Sequence, residues 1–421
     1  MFDKDIHFSC SFSSESMLNL LEFKAYGSDF RQPSSERKHT KNGTKIPREE
    51  GAIPHGTEVP CLLAQKLMKR IVLTGGGTAG HVTPNIALIP KLKELGYELH
   101  YIGSYEGIER ELIKPFELSY HGISSGKLRR YFSLQNFTDP FRVLKGFVEA
   151  HRIIKKIKPN LIFSKGGFVT VPVVVAGGAR KIPVIIHESD MTPGLANKLA
   201  FPSARKICCN FPETLTLLPK NKGILTGSPV REELFKGDKK IALQMCNFVD
   251  DKPVLLILGG SLGSVAINRN LRKLLPELLE KHQIIHLCGK NKIDPSLTGL
   301  QGYAQFEYLQ EEYKDVIALA DLVISRAGAN AICELLALHK PNLLIPLSLK
   351  ASRGDQILNA KSFEKQGFSM VLEEENLTKE SLLESIEALY NNQEYYLKNM
   401  RESNQQDSVG IILDLIQQLQ H

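Results

Sequence analysis

At 421 residues the chain exceeds what one ordinary hydrophobic core organises and suits two domains. Hydrophobic residues make up 42% and charged residues 24%, and the richest apolar stretch, 169–186, is interrupted by Pro172, Arg180, Lys181 and Pro183, which excludes it as a membrane span. The net charge of +7 lies beyond residue 68, and the seven cysteines, scattered without CxxC pairs, point to a reduced compartment and no structural metal.

Residues 1–68 are polar and lack helical or strand periodicity, so they read as a disordered extension or a mis-called start, with Met68 a natural first residue. Their opening, MFDKDIHFSC, has no basic start followed by an apolar block and so does not resemble a secretory signal. From Arg70 a grammar of strand, glycine turn and helix begins. A strand is expected at 71–74, a turn at 75–80, a helix at 84–95 ended by Gly96, and strands at 99–102, 160–164, 184–187 and 206–209. The pattern restarts at 253–258, a buried-type strand, with a turn at 259–263, a helix at 265–281, and strands at 283–287, 322–325 and 342–346. Strands alternating with helices predict an α/β chain of two doubly wound, Rossmann-like parallel-sheet domains facing across a cleft, over 69–229 and 230–404. A closing helix over 405–421 is available to pack back on the first domain. Ligands then belong at the carboxyl ends of both sheets.

Three glycine turns follow strands. GGGTAGH (75–81) offers backbone N–H groups at a helix start to an anion or a sugar oxygen. It satisfies GxGxxG, yet the second strand ends in Gly103-Ser104 rather than in the acid that a nicotinamide enzyme uses to grip ribose; Glu106 lies just beyond. SKGGFV (164–169) and GGSLGS (259–264) repeat the arrangement. A single glycine turn serves close packing as easily as binding, whereas three at strand ends point to phosphate or sugar binding, with Gly77, Gly166 and Gly167 in the acceptor-side loops. His81, directly after the last glycine, is an ionisable group at the mouth of the cleft. In SRAGANAICE (325–334), small residues leave a helix N-terminus open to a pyrophosphate, and Glu334 can accept both hydroxyls of a ribose; the alternative is a Glu in a surface salt bridge. Gln356, in SRGDQ, can read sugar hydroxyls.

GGGTAGHVTPN (75–85), SKGGFVTVP (164–172), IIHESDMTPGLANK (185–198), GSPVR (227–231), GGSLGS (259–264), SRAGANAICE (325–334) and SRGDQILNA (352–360) together resemble the undecaprenyldiphospho-muramoylpentapeptide β-N-acetylglucosaminyltransferases, from about residue 69 to the C-terminus. The resemblance implies a GT-B fold and inverting transfer of N-acetylglucosamine from UDP-GlcNAc to lipid I in peptidoglycan synthesis. The first domain would hold lipid I and the second the donor. It assigns donor contacts to Thr78, Ala79, Gly80, Arg231, Ser261, Ala329, Asn330, Ala331, Ile332, Cys333, Glu334 and Gln356, with Glu334 in the catalytic site and Leu309 beside the uracil. The family usually has Asn where this chain has Asp190, and a small residue where it has Asn330.

Such a transfer requires no cofactor if N–H dipoles and a cation absorb the departing charge, and neither domain carries an Asp-x-Asp metal motif; the one present, Asp3-Lys4-Asp5, lies in the extension. His81 is the candidate general base, with orientation of substrate or capping of the turn as its other role. Between Lys127 and Lys158 basic residues outnumber acids and aromatics are interleaved, Lys127, Arg129, Arg130, Tyr131 and Phe132 heading the run. This composition fits a peripheral anchor on the anionic cytoplasmic face of the membrane, where the implied acceptor resides, rather than a nucleic-acid interface. A diacylglycerol glycosyltransferase, sharing fold and donor site, and a non-catalytic nucleotide-sugar binder are the alternatives.

Overall fold

The computed structural model describes residues 68–126, 139–260, 262–349, 351–352, 354–405 and 407–420. Strands β1 (Arg70–Thr74), β2 (Glu98–Ser104), β3 (Ser119–Ile123), β4 (Leu161–Ser164), β5 (Val184–Glu188), β6 (Lys206–Cys209) and β7 (Gly223–Leu225) form one parallel sheet, ordered β3-β2-β1-β4-β5-β6-β7. A second parallel sheet, ordered β10-β9-β8-β11-β12-β13, takes β8 (Val254–Leu258), β9 (Gln283–Leu287), β10 (Tyr303–Phe306), β11 (Leu322–Ser325), β12 (Asn342–Leu344) and β13 (Met370–Val371).

Strand geometry sends successive side chains to opposite faces, and both faces are buried, so the central strands are mainly apolar, with polar residues such as His187 and Glu188 at the carboxyl end of β5. In the first sheet Val72, Ile162, Ile186 and Ile207 enter one core, while Ile71, Leu73, Leu161, Phe163 and Ile185 enter the other. The second sheet repeats the division, with Leu256, Val323 and Leu344 on one side and Leu255, Ile257, Ile324 and Leu343 on the other.

The helices that matter for the site follow these strands. They are α1 (Thr83–Glu94), α2 (Ile108–Ile113), α3 (Asp139–Ile157), α4 (Val265–Lys281), α5 (Ala329–Ala337), α6 (Asp355–Lys365) and α7 (Ser408–Gln418). Ser264 caps α4 by accepting from Ile267 N–H, and Pro84 falls in the first turn of α1, where its missing N–H costs nothing. In each sheet the strand order reverses between the first strand and a later neighbour, β1 beside β4 and β8 beside β11. At such a reversal adjoining loops leave in opposite directions and open a crevice, so the loops after β1, β4, β8 and β11 are where a ligand fits.

The last helix belongs to the first lobe. Ile412, Leu415 and Ile416 of α7 join the cluster of Ile71, Leu73, Leu88 and Leu92, and Tyr97 OH donates to Gln420 Oε1 at 3.1 Å. The lobes also touch through apolar packing near β6: Phe211 is fully buried among second-lobe side chains, edge-on to Phe363 with ring centroids 5.8 Å apart. Beside it Ser362 Oγ donates to Glu213 Oε2 at 2.7 Å. Replacing Ile412 by Ala should cost about 2–5 kcal/mol of stability, the price of a large-to-small change in a closed core; urea unfolding checks this, and a loss within experimental error would place α7 outside the first lobe's core.

Candidate active site

Two glycine loops of the first lobe interlock. Gly76 N–H donates to Gly166 O at 3.3 Å, and Lys165 N–H to Thr74 O at 2.9 Å. Gly167 has φ +92°, and a Cβ there would stand 2.3 Å from the carbonyl oxygen of Gly76, so only glycine lets the second loop lie on the first. Gly77, at φ +84°, has open space where a Cβ would project. Thr78, Ala79 and Gly80 follow as exposed residues, and Ala79–His81 makes a single 3-10 turn before α1.

His81 is partly buried, with Nδ1 3.1 Å from Gly76 O and 3.2 Å from Thr78 Oγ1. Since a carbonyl only accepts, Nδ1 carries the proton, and Nε2 presents a lone pair. Burial and the nearby Lys165 ammonium push the imidazole below its ordinary value, while the Gly76 carbonyl and the Glu109 carboxylate pull it up. The ring is therefore neutral at pH 7.

Beneath this loop lies a buried polar floor for which the sequence motifs assign no roles. Lys165 is 1% exposed; its Nζ donates to His187 Nδ1 and to Ser189 Oγ, each at 2.6 Å. His187 Nε2–H in turn donates to Gly227 O at 2.8 Å. Burial pushes Lys165 down to about 7 and His187 well below its usual value. Glu188 accepts from Gly194 N–H and Asn197 Nδ2, both at 2.9 Å, and burial raises it. Asp190 is raised by burial and by the facing carboxylate of Asp355, against the Asn359 amide and Lys165. This places Asp190 at the seam, where Met191 N–H also donates to Asn359 Oδ1 at 3.3 Å.

The second lobe supplies an open helix end. Gly328 caps α5 with nothing near its would-be Cβ, and the first intrahelical bond runs from Ile332 N to Gly328 O. The N–H groups of Ala329, Asn330 and Ala331 precede that bond and are the helix's positive end. Ile332 and Cys333 turn their side chains into the core, so only their backbone is available to a ligand. Asn330 instead bridges the lobes: its Nδ2 donates to Gly80 O at 3.0 Å and its Oδ1 accepts from Ser228 Oγ at 3.1 Å.

Glu334, one turn further, is partly buried, and burial pushes its carboxyl up to about 7, with the Arg231 guanidinium opposing. Arg231 Nε is itself buried without a partner among the described residues, a donor in search of an anion. Leu309 packs partly buried on the second-lobe core, and Gln356 Oε1 accepts from Leu347 N–H at 3.1 Å.

Arg326, which sequence reasoning passed over, ties the surrounding loops together. It donates to Ile345 O at 3.0 Å, Pro346 O at 3.2 Å, Ser264 Oγ at 2.6 Å and Glu374 Oε1 at 2.5 Å. Ser261, and the docking residues Lys127, Arg129, Arg130, Tyr131 and Phe132, lie outside the described residues.

Two Rossmann-like lobes with helix N-termini and glycine loops at their switch points define a GT-B glycosyltransferase. Residues 71–209 match the glycosyltransferase family 28 N-terminal domain and residues 254–415 its C-terminal domain. Two similar proteins, from Lachnospira eligens and Lachnoclostridium phytofermentans, each carry the name UDP-N-acetylglucosamine–N-acetylmuramyl-(pentapeptide) pyrophosphoryl-undecaprenol N-acetylglucosamine transferase. Both are 63% identical, over 83% and 84% of this chain and 99% of their own length. The crystal structure of Acinetobacter baumannii MurG superposes with a TM-score of 0.67 at 26% identity, covering 83% of this chain and 99% of that one. The chain belongs to glycosyltransferase family 28 and, within it, to the pyrophosphoryl-undecaprenol N-acetylglucosamine transferases.

A carboxyl whose folded value is raised retains more protons in the folded chain than in the unfolded one, so its contribution to stability falls as pH rises from about 4.5 to about 7. Glu334→Gln should remove that decline, so that stability relative to the parent chain improves from pH 4 to pH 8. Denaturant titrations at the two pH values measure it, and a difference that does not change with pH would contradict the assignment.

Proposed function

We propose that this chain transfers N-acetylglucosamine from UDP-GlcNAc to the muramic acid hydroxyl of undecaprenyl-pyrophosphoryl-MurNAc-pentapeptide, with inversion at the anomeric carbon. The observation that carries the reading is the seam where Asn330, at the open end of the second-lobe helix, donates to Gly80 O beside His81, with Glu334 one turn along that helix and the Arg231 guanidinium acting on it. Glu334 would accept from the ribose hydroxyls, the α5 N–H groups would face the diphosphate, and Arg231 would supply the cation. Thr78, Ala79 and Gly80 would close over the donor from the first lobe, with Ser261, Gln356 and Asp190 completing its contacts.

The chemistry then balances simply. Nε2 of His81 takes the proton of the acceptor hydroxyl as its oxygen bonds to the anomeric carbon. The bond to UDP breaks with its electron pair leaving on the diphosphate, where N–H dipoles and Arg231 absorb the charge. On this reading no metal or other cofactor takes part.

The acceptor's polyprenyl chain requires the enzyme to work at a membrane surface, and no helix among the described residues is long and apolar enough to cross one. On α3, Phe141, Leu144 and Val148 are exposed at helical spacing, 76%, 61% and 40%, with the basic residues Arg142 and Lys145 among them. Apolar groups entering the headgroup boundary and cations meeting anionic lipid describe a peripheral contact, which Lys127 to Phe132 would extend.

UDP release supplied with lipid I and UDP-GlcNAc, compared with diacylglycerol and UDP-glucose, tests the activity; turnover only with diacylglycerol, or none, would refute it. His81→Ala should lower turnover by about a hundredfold or more, and near-normal turnover would remove the base. Phe141→Ser with Leu144→Ser should weaken co-sedimentation with anionic vesicles severalfold, and unchanged binding would exclude α3 from the membrane contact.

A further inference from the structure

An acid outside every glycine motif sits directly under the first loop. Glu109, on α2, has no solvent exposure. Its Oε1 accepts from Ser104 N–H at 2.8 Å and from Ser104 Oγ at 2.6 Å, and its Oε2 accepts from Gly77 N–H at 3.2 Å. The chain around it is shaped to admit it. A Cβ at Gly76, Gly103 or Gly107 would fall 2.6, 2.8 or 2.2 Å from atoms of this one side chain, closer than real contacts allow. Glycines on the first loop, on β2 and before α2 thus make room for a carboxylate held by neutral donors. Burying an acid in this way is costly compared with a neutral side chain, which argues that its charge has a use.

We infer that Glu109 is a positioning residue of the transfer reaction: from beneath the loop it fixes the peptide at Gly77 and holds a negative charge against the imidazole of His81, without touching either substrate. The inference rests on the reading of His81 as the base. Two charged groups act on that ring, Glu109 from α2 and Lys165 from the loop after β4, and they oppose each other, Lys165 making the ring less basic and Glu109 more so. Burial, with a smaller contribution from the Glu109 charge, also raises the phenols of Tyr101 and Tyr120, and for Tyr101 the Asn85 amide opposes it. Glu109 thus adds to the Gly76 carbonyl in opposing burial and Lys165, while the balance still leaves the ring less basic than a free imidazole.

Glu109→Gln keeps the volume, removes the charge and sets an amide N–H against the donors it must satisfy. Turnover should fall roughly tenfold to a hundredfold with a far smaller change in the KM for UDP-GlcNAc. The acidic limb of kcat/KM should move to lower pH, because a less basic imidazole stays deprotonated further down. The NMR titration midpoint of His81 in the ligand-free protein should move the same way. Glu109→Asp keeps the charge but shortens the reach, so turnover falls while the midpoint stays near that of the parent chain. An unmoved midpoint in the Gln variant, or an Asp variant that shifts as far as Gln, would overturn the proposal. A wrong base assignment would show separately, as near-normal turnover of His81→Ala, since the titration reads the Glu109 effect whatever role the imidazole has.

Discussion

The site depends on how closely two backbones approach at the carboxyl ends of β1 and β4. The second loop rests on the carbonyl of Gly76 because Gly167 has neither a Cβ nor a steric objection to positive φ. That contact sets the orientation of the Gly76 carbonyl, and the same carbonyl fixes the tautomer of His81. A side chain at Gly167 would separate the loops and unseat the imidazole together. Parallel strand order brings the loops to one end, and glycine lets them touch there.

Burial and charge act together around the cleft. Acids are driven up, Glu334 to about 7 and Glu188 and Asp190 above their ordinary values, while Lys165 is driven down to about 7 and His81 and His187 below theirs. Burial thus disfavours the charged forms of these groups, acid and base alike. At the open end of α5 a diphosphate would meet backbone dipoles and the Arg231 guanidinium, an electrostatic setting prepared before any ligand arrives.

The central strands were legible because two-sided burial makes them largely apolar runs, as in VLLIL of β8 and the VII that opens β5. The strands that sequence reasoning missed, β3, β7, β10 and β13, are the edges of the two sheets. Each is short and only partly buried, as SYHGI of β3 and the two residues of β13 illustrate, so no apolar run distinguishes it from loop. The closing helix could be anticipated from its apolar spacing. That it returns to the first lobe was also expected; which side chains it meets there, Ile71 and Leu73 among them, emerges only in the fold.

The cleft-facing residues His81 and Glu334 were readable because each follows a strand and small residues at a fixed offset. Glu109, Lys165 and Arg326 act from beneath, through partners in other segments of the chain, and although Lys165 and Arg326 lie within glycine-turn motifs, the motifs do not reveal those partners. The central claim is that the second lobe grips a nucleoside diphosphate through the open end of α5, and calorimetric titration of the chain with UDP and with uridine tests it most directly. The account predicts that UDP binds far more tightly than uridine, with the difference collapsing when Arg231 is replaced by Met. Equal affinity for the two, or no binding of UDP by the folded chain, would contradict it.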